Sequence, residues 1–262
     1  MAPGIRVLIL GGTGDAADLT GKMSVIPDIE VITSLAGRTR QPSALPGTVR
    51  VGGFGGSTGL AAYLHEHHID LLIDATHPFA AQISWNAAIA AMEVGIPHLM
   101  LVRPAWAKVV GDDWIEVESV AAAALAIPVT AKQVFLTIGK QQLAPFMQLP
   151  KIWFLIRSIE PPTPDVAIPN SKLLLERGPF SLEQERQLLH DYGIDAIVSK
   201  NSGGDATYAK IVAARELSIP VVLIKRPAMP TGEKVTNVTG ALAWLQRTTV
   251  LDSMGEKDIC GW

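Results

Sequence analysis

Short apolar runs rich in branched residues alternate along the chain with alanine-rich segments of helical period. In the first half, the runs predicted as buried strands are Ile5–Leu10, Val31–Ser34, Leu71–Asp74 and His98–Val102. The segments predicted as helices between them are Ala16–Met23, Leu60–His67 and Ala80–Glu93. Apolar strands that alternate with helices are typical of parallel sheets covered by helices on both faces. The pattern therefore predicts an α/β fold with Rossmann-like, doubly wound parallel sheets.

Two stretches of the chain repeat the same order of features. Residues 69–105 and 194–228 both begin with Ile-Asp and an apolar strand, and both continue through a polar turn into a helix. Both then carry Ile-Pro, a second apolar strand and Arg-Pro-Ala. Any two strand–helix–strand units share part of this pattern, but the matched Ile-Pro and Arg-Pro-Ala favour two related halves.

Each of these stretches is followed by a similar tail, which helps to place a domain boundary. The tails read "VESVAAAALA" at 117–126 and "VTNVTGALAWL" at 235–245. We therefore predict two doubly wound domains, residues 1–130 and 131–262. Ligands of such sheets bind outside the carboxyl ends of the strands, so we expect an active-site cleft between the two domains.

A glycine-rich turn follows the first predicted strand and opens the first predicted helix. Gly12-x-Gly14-x-x-Ala17 matches the pattern in which two glycines let the backbone approach a pyrophosphate and a small third residue packs the helix on the sheet. The helix N-terminus adds free N–H donors, and Asp15 is a candidate cap. A simple strand–helix turn is the alternative. The turn residues predicted to bind a cofactor are Gly11, Gly12, Thr13, Gly14 and Ala16.

The end of the second predicted strand distinguishes between the two nicotinamide cofactors. An NAD site usually has Asp or Glu there, which binds the ribose 2′-hydroxyl. This chain reads "VITSLAGRTR", with Ser34 near that position and Arg38 and Arg40 after it. A small hydroxyl residue beside guanidinium groups suits a 2′-phosphate. We therefore predict NADPH, bound in part by Ser34 and Arg38, with two solvated loop arginines as the alternative.

The motif "DATHPFA" at 74–80 follows a buried strand, so Thr76 and His77 are expected at the same strand-end edge as the glycine turn. We predict that Thr76 contacts the cofactor and that His77 orients a ligand or donates a proton. A capping threonine and a packed histidine are the alternative. "HEHH" at 65–68 lies at the C-terminal end of a predicted helix, where the helix dipole stabilises cationic side chains. No metal site is predicted there.

Cationic residues recur at the predicted strand ends of the second half, in "TIGK", "ERGPF" and "SKNSGGDATYAK". The net charge of the chain is −3, so cations gathered at strand ends indicate a local anion site rather than general basicity. A substrate with several carboxylates fits this arrangement; surface lysines or a second phosphate site are alternatives. The predicted substrate-binding residues are Lys140, Arg177, Lys200, Asn201, Ser202, Gly203 and Gly204.

The composition of the 262-residue chain excludes several other classes of protein. A net charge of −3 argues against a nucleic-acid partner, and the single Cys260 excludes an internal disulfide and a cysteine zinc site. No apolar stretch approaches the roughly 20 residues of a membrane span. We expect a cytoplasmic monomer. With no motif for hydrolysis or phosphoryl transfer, the pattern favours hydride transfer, in which the cofactor carries the chemistry.

The blocks "LGGTGDA", "DATHPFA", "TIGK", "ERGPF", "SKNSGG" and "TYAK" occur in this order and together resemble the precorrin-6A reductase family of vitamin B12 biosynthesis. The resemblance covers nearly the whole chain. It implies NADPH-dependent reduction of one double bond of a polycarboxylate tetrapyrrole to give precorrin-6B, or the same reaction on a cobalt-containing ring. The candidate proton donors are Asp15, His77, Lys200 and water, although the family is expected to carry Glu as often as Asp at position 15.

Two other classes of function remain alternatives to a reductase. One is a two-domain protein that binds an anion without catalysis, and the other is a tetrapyrrole cyclase similar to uroporphyrinogen synthase. Neither would oxidise NADPH, so dependence on this cofactor separates both from a reductase.

Overall fold

A computed structural model describes residues 4–37, 45–163 and 168–255, with the backbone alone for 250–255. The chain divides into two compact units, the first made of Met1–Arg103 with Ala228–Trp262 and the second of Pro104–Pro227. Each unit contains one six-stranded sheet, and every strand pairing in both sheets is parallel. The predicted α/β class with two doubly wound parallel sheets is therefore confirmed.

The first unit has the strand order of a dinucleotide-binding fold. Its elements are β1 Ile5–Leu10, α1 Gly14–Met23, β2 Ile29–Leu35, β3 Thr48–Val51, α2 Ser57–Glu66, β4 Leu71–Asp74, α3 Ala81–Val94, β5 His98–Leu101, β12 Glu233–Val235 and α7 Val238–Gly255. Across the sheet the order is β12-β5-β4-β1-β2-β3. Strand order therefore reverses beside β1, which is the switch point where such sheets bind ligands.

Alternate residues of β1 face opposite layers of helices. Val7 and Ile9 belong to a core that includes residues of α1 and α7, among them the fully buried Trp244. Leu8 and Leu10 belong to a second core that includes residues of α2 and α3. Because both faces of the sheet are covered, residues 7–10 of the strand form a continuous apolar run, and this pattern made the strand recognisable in the sequence.

The second unit repeats this arrangement. Its elements are β6 Trp114–Val117, α4 Val120–Leu125, β7 Gln133–Thr137, β8 Trp153–Ser158, β9 Ser171–Leu175, α5 Leu182–Asp191, β10 Ala196–Lys200, α6 Ala209–Glu216 and β11 Val221–Ile224. The order across the sheet is β6-β11-β10-β7-β8-β9. Two 3₁₀-helical turns, Lys140–Gln142 and Ala144–Gln148, stand between β7 and β8, where the first unit has α1.

The domain boundary predicted near residue 130 differs from the observed division. β6 follows β5 in the chain but pairs with β11 of the second sheet, with Trp114 opposite Val221. β12 follows β11 but pairs with β5 of the first sheet, with Glu233 opposite Leu99. The two similar tails seen in the sequence thus join the sheet of the other repeat. Their local patterns are alike, so sequence alone could not assign each tail to its sheet.

Candidate functional site

Thr13 fixes the glycine turn between β1 and α1. Its hydroxyl oxygen accepts a hydrogen bond from the backbone N–H of Ala16 at 3.1 Å, which caps the helix. The same hydroxyl donates to the backbone carbonyl of Ala75 at 2.8 Å. The Thr13 side chain therefore ties the turn to the residue that follows β4, across the switch point of the sheet.

The glycines of this turn leave open space where a dinucleotide would place its pyrophosphate. Gly12 has a φ of +107°, in the left-handed region that favours glycine. A Cβ built on Gly12 or Gly14 would have no neighbouring atom within 4 Å, whereas one on Gly11 would lie 3.2 Å from the Thr33 methyl group. Gly11 is thus closely packed inside the protein. Gly12 and Gly14 border a free volume at the N-terminus of α1, and the turn fits a bound pyrophosphate.

A cavity of about 170 Å³ lies at the carboxyl ends of β1, β2, β3 and β4. The predicted residues Gly11, Ser34 and Thr76 line it, together with a loop that the sequence reasoning did not select, Gly52–Gly56. The apolar Phe54 and Ile83 and the amide of Asn86 complete much of its wall. A mostly apolar pocket with a few polar groups, placed at a switch point, is typical of a nucleotide site.

Arg50 on β3 holds the loop Gly52–Gly56 against this cavity. Its guanidinium donates to the backbone carbonyls of Gly52 and Gly53 at 2.6 and 2.9 Å. The guanidinium carbon also lies 3.8 Å from the centre of the Phe54 ring. The signal that could have identified this loop is "GGFGGS", two glycine pairs directly before a helix, which is the same kind of signal as the first turn.

Asp15 and Arg103 form an ion pair beside the glycine turn. The carboxylate of Asp15 lies in the first turn of α1, 2.9 Å from the guanidinium of Arg103, which comes directly after β5. A carboxylate at a helix N-terminus is favoured by the helix dipole. The arginine offsets part of the repulsion that Asp15 would exert on a nearby phosphate.

The segment after β4 is organised around Asp74. One carboxylate oxygen of this buried residue accepts hydrogen bonds from the backbone N–H and the hydroxyl of Thr76, at 3.0 and 2.6 Å. The other oxygen is buried without a hydrogen-bond partner among the described residues. His77 accepts a bond at Nδ1 from the backbone N–H of Phe79 at 3.2 Å. In the neutral ring that bond leaves Nε2 as the donor.

In the second unit, Lys140, Arg177 and Lys200 all come at or just after the carboxyl ends of strands of one parallel sheet. They therefore lie along the same edge of that sheet, as predicted. Lys140 pairs with the largely buried Glu160 at 2.7 Å. Arg177 is exposed in the loop after β9, and Lys200 is the half-buried last residue of β10.

The loop after β10 is attached to the segment that enters the second unit. The Asn201 side chain accepts from the backbone N–H of Trp106 at 2.8 Å and donates to its carbonyl at 3.1 Å. The Trp106 indole donates to the carbonyl of Gly204 at 2.9 Å, and Arg226 donates to that of Ser202 at 3.0 Å. The side chain of Asn201 is thus occupied within the protein, which the sequence pattern did not indicate.

A network of buried charges lies below this edge of the second sheet. Arg157 on β8 contacts the carboxylate of Glu185 on α5 at 2.6 Å and that of Glu176 at 3.1 Å. Its guanidinium also lies 3.9 Å from the centre of the Phe180 ring. Arg157 therefore holds both ends of the loop that carries Arg177.

Lys210 on α6 is buried near this network and donates to the backbone carbonyl of Thr207 at 2.9 Å. Burial lowers the pKa of Lys210 to about 8, because the charged form is poorly solvated. The negative charge of Glu185 opposes this shift, and the positive charge of Arg157 adds to it.

We expect the free energy of unfolding to rise with pH between about 8 and 10.5, with a slope of at most about 1.4 kcal/mol per pH unit from this one group. The folded pKa of Lys210 lies below the unfolded value, so the unfolded chain binds more protons in that window and alkaline pH favours the folded state. Urea unfolding at several pH values measures the slope. The variant Lys210→Met should lack this component, and an equal slope in the variant would contradict the assignment.

The described parts of the chain contain no helix that is both long and apolar enough to cross a membrane. In the same parts, no three His, Cys, Asp or Glu side chains are grouped so that they could hold a metal ion.

A sheet ordered around a switch point, a glycine turn at the N-terminus of a helix and a pocket at the strand ends together define a Rossmann-like α/β protein. The model of the family described as precorrin-6x reductase CbiJ/CobK matches residues 6–246. The chain belongs to this family. The resemblance expected from the sequence motifs is therefore confirmed.

Individual relatives agree with the family model. A precorrin-6A reductase of Rhodococcus erythropolis is 49% identical over 93% of this chain and 98% of its own length. A cobalt-precorrin-6A reductase of Methanothermobacter thermautotrophicus is 31% identical over 85% of this chain and 77% of its own length. The solved structure of a CobK precorrin-6A reductase superposes with a TM-score of 0.87 and 40% identity, covering 93% of this chain and 96% of that one.

Proposed function

We propose that the protein catalyses the NADPH-dependent reduction of one double bond of precorrin-6A, which yields precorrin-6B in cobalamin biosynthesis. The observation that carries this proposal is membership of the reductase family over residues 6–246. The metal-free ring is favoured as substrate because the relative named precorrin-6A reductase is 49% identical, against 31% for the cobalt-precorrin relative. The protein is therefore an oxidoreductase that acts on a carbon–carbon double bond.

The first unit supplies the groups that would hold the nicotinamide cofactor. The backbone around Gly12 and Gly14 borders open space at a helix N-terminus and would bind the pyrophosphate. The cavity that contains Ser34 and Thr76 would take the adenosine portion. Arg38, the residue predicted beside the 2′-phosphate, lies outside the described residues. When bound, the cofactor supplies the hydride, and the protein supplies position and charge.

The second unit supplies cations for the carboxylate arms of the tetrapyrrole. Lys140, Arg177 and Lys200 follow strands of the same sheet edge, so three positive charges can act on several carboxylates of one ligand. Lys140 is paired with Glu160 at 2.7 Å, and a substrate carboxylate would compete with that glutamate. Ser202 and the backbone of Gly203 and Gly204 would contribute weaker hydrogen bonds from the adjoining loop.

Reduction of a double bond adds a hydride to one carbon and a proton to its neighbour. Asp15 is the carboxylate partner of Arg103, and in that form it carries no proton to donate. His77 in its neutral form can donate through Nε2, which makes it a weaker acid than an imidazolium ion. A lysine in its charged ammonium form has a proton to donate, and we therefore favour Lys200 as the donor among the three.

Single-turnover measurements of the pure protein with NADPH and precorrin-6A test both parts of the proposal. We expect the absorbance of the reduced nicotinamide to fall together with the change in macrocycle absorbance. Lys200→Met should slow this step by roughly 10²-fold or more if Lys200 is the donor, with the NADPH dissociation constant unchanged. Asp15→Asn and His77→Gln serve as the matched comparisons. A larger loss in either would move the role to that residue, and no NADPH oxidation by the wild type would exclude a reductase.

A further inference from the structure

We propose that Arg50 gives the pocket of the first unit its preference for a nucleotide that carries a 2′-phosphate. This inference rests on the proposed function, in which that pocket holds the adenosine portion of NADPH. It assigns cofactor specificity to a residue on β3, upstream of the glycine loop and outside the segment after β2 where the sequence pattern predicted it.

The strand register places Arg50 directly beside the residue that occupies the specificity position. Ser34 on β2 is opposite Arg50 on β3 in the parallel pairing. A guanidinium nitrogen of Arg50 lies 3.4 Å from the Ser34 hydroxyl oxygen. In a site for NAD, the end of β2 would instead carry a carboxylate for the 2′-hydroxyl. The chain therefore has a hydroxyl and a positive charge where that negative charge would stand.

The guanidinium is held in place by groups that do not neutralise it. Its described acceptors are the hydroxyl of Ser34 and the backbone carbonyls of Gly52 and Gly53, all neutral oxygens. The guanidinium carbon also lies 3.8 Å from the centre of the Phe54 ring and 5.2 Å from the centre of the Tyr63 ring. A planar cation fixed in this way needs little further ordering to act on a phosphate.

The groups that hold Arg50 also form the wall of the pocket. Ser34, Gly52, Gly53 and Phe54 all line the cavity of about 170 Å³. The guanidinium of Arg50 therefore lies directly behind this wall, beside a largely apolar cavity, where its charge is screened less than it would be in open water. A purine would contact the apolar side chains of the cavity, and a phosphate on its ribose would then lie near Ser34 and Arg50.

Calorimetric titration with 2′,5′-ADP and 5′-AMP isolates the 2′-phosphate, because this group alone distinguishes the two probes. We expect the wild type to bind 2′,5′-ADP more tightly. In Arg50→Gln, the ratio of the two dissociation constants should shift by about tenfold or more towards 5′-AMP. Arg50→Lys should give an intermediate ratio, since it keeps the charge but loses the fork of donors.

Arg247→Gln is the matched control, because it removes one exposed positive charge from the same unit. Its ratio should equal that of the wild type. A ratio that stays constant across all Arg50 variants, or falls equally in Arg247→Gln, would overturn the inference. If Arg50→Gln does not fold, as judged by its thermal transition, the ratio in Arg50→Lys decides by the same criterion.

The outcome also separates this inference from the proposed function. If the wild type binds NADPH and 2′,5′-ADP but the Arg50 variants keep the same ratio, the specificity role of Arg50 fails and the reductase proposal stands. If the wild type binds neither, the assignment of the pocket to NADPH fails as well.

Discussion

Replacement of Gly203 by alanine is expected to lower the free energy of unfolding by about 2–5 kcal/mol, from backbone strain and from overpacking together. Gly203 has a φ of +65°, which costs an alanine about 1–2 kcal/mol. A Cβ at this position would also collide with the carbonyl oxygen of Pro104 and a guanidinium nitrogen of Arg226. The Pro104 oxygen belongs to the backbone, so the loop itself would have to move.

Gly95→Ala is the matched control for this prediction. Gly95 ends α3 with a φ of +78°, and a Cβ built there would meet nothing within 4 Å. We therefore expect that this variant loses only the backbone contribution, about 1–2 kcal/mol. Urea unfolding of both variants measures the difference. Equal losses would contradict the prediction, because they would mean that the contact of the new Cβ with Pro104 and Arg226 does not matter.

Replacement of Glu185 by glutamine is expected to destabilise the protein by about 3–5 kcal/mol, the usual cost of removing one charge from a buried ion pair. The Glu185 side chain is fully buried, and Arg157 beside it is 8% exposed. Lys210 is buried nearby. The substitution keeps the shape of the side chain but removes the negative charge that both cations face.

Glu183→Gln on the same helix is the control, because its contact with Arg186 is 3.3 Å long and well exposed. Exposed pairs contribute little, so we expect a change within about 0.5 kcal/mol. Loss of Glu185 should also lower the pKa of Lys210 further, since that carboxylate opposes the effect of burial. The difference in free energy of unfolding between the wild type and Glu185→Gln should therefore become smaller as the pH rises through 8, because Lys210 then loses its charge in the wild type. A difference in unfolding free energy that does not change with pH would contradict this interaction between Glu185 and Lys210.

The elements that depend on local pattern could be predicted from the sequence. β1 was predicted with its observed bounds, Ile5–Leu10, because the part of the strand buried on both faces, Val7–Leu10, is an unbroken apolar run that ends at glycine. The predicted helix bounds were too short at the N-terminus of α1. That helix begins at Gly14, and its cap, Thr13, makes its second bond to a residue 62 positions away.

The pairing of the edge strands could not be predicted, since β6 and β12 are short and followed by similar alanine-rich helices. Which sheet each joins depends on contacts between residues more than 100 positions apart, such as Trp114 with Val221 or Glu233 with Leu99. A periodic pattern carries no information about such partners. For this reason the boundary predicted near residue 130 differs from the observed division of the chain.

The candidate site shows the same division between local and distant information. The glycine turn, Ser34 and Thr76 were selected from their place after apolar strands, and all three contribute to one end of the first sheet. Arg50 was missed because an arginine on an edge strand resembles a solvated residue until its contacts with Phe54 and the glycine carbonyls are known. The contact of the Asn201 side chain could not be predicted, because its partner, Trp106, lies 95 positions away.

The passage of β12 and α7 back to the first unit has a consequence for synthesis on the ribosome. All six strands of the second sheet lie between residues 114 and 224, whereas the first sheet needs residues 233–235 for its last strand. The ends of the second unit also lie together, since Arg226 donates to the carbonyl of Pro104 at 3.0 Å. Domains generally fold as they emerge, N-terminal first. Here the unit whose translation starts first is the one that is completed last, after the inserted unit has already emerged.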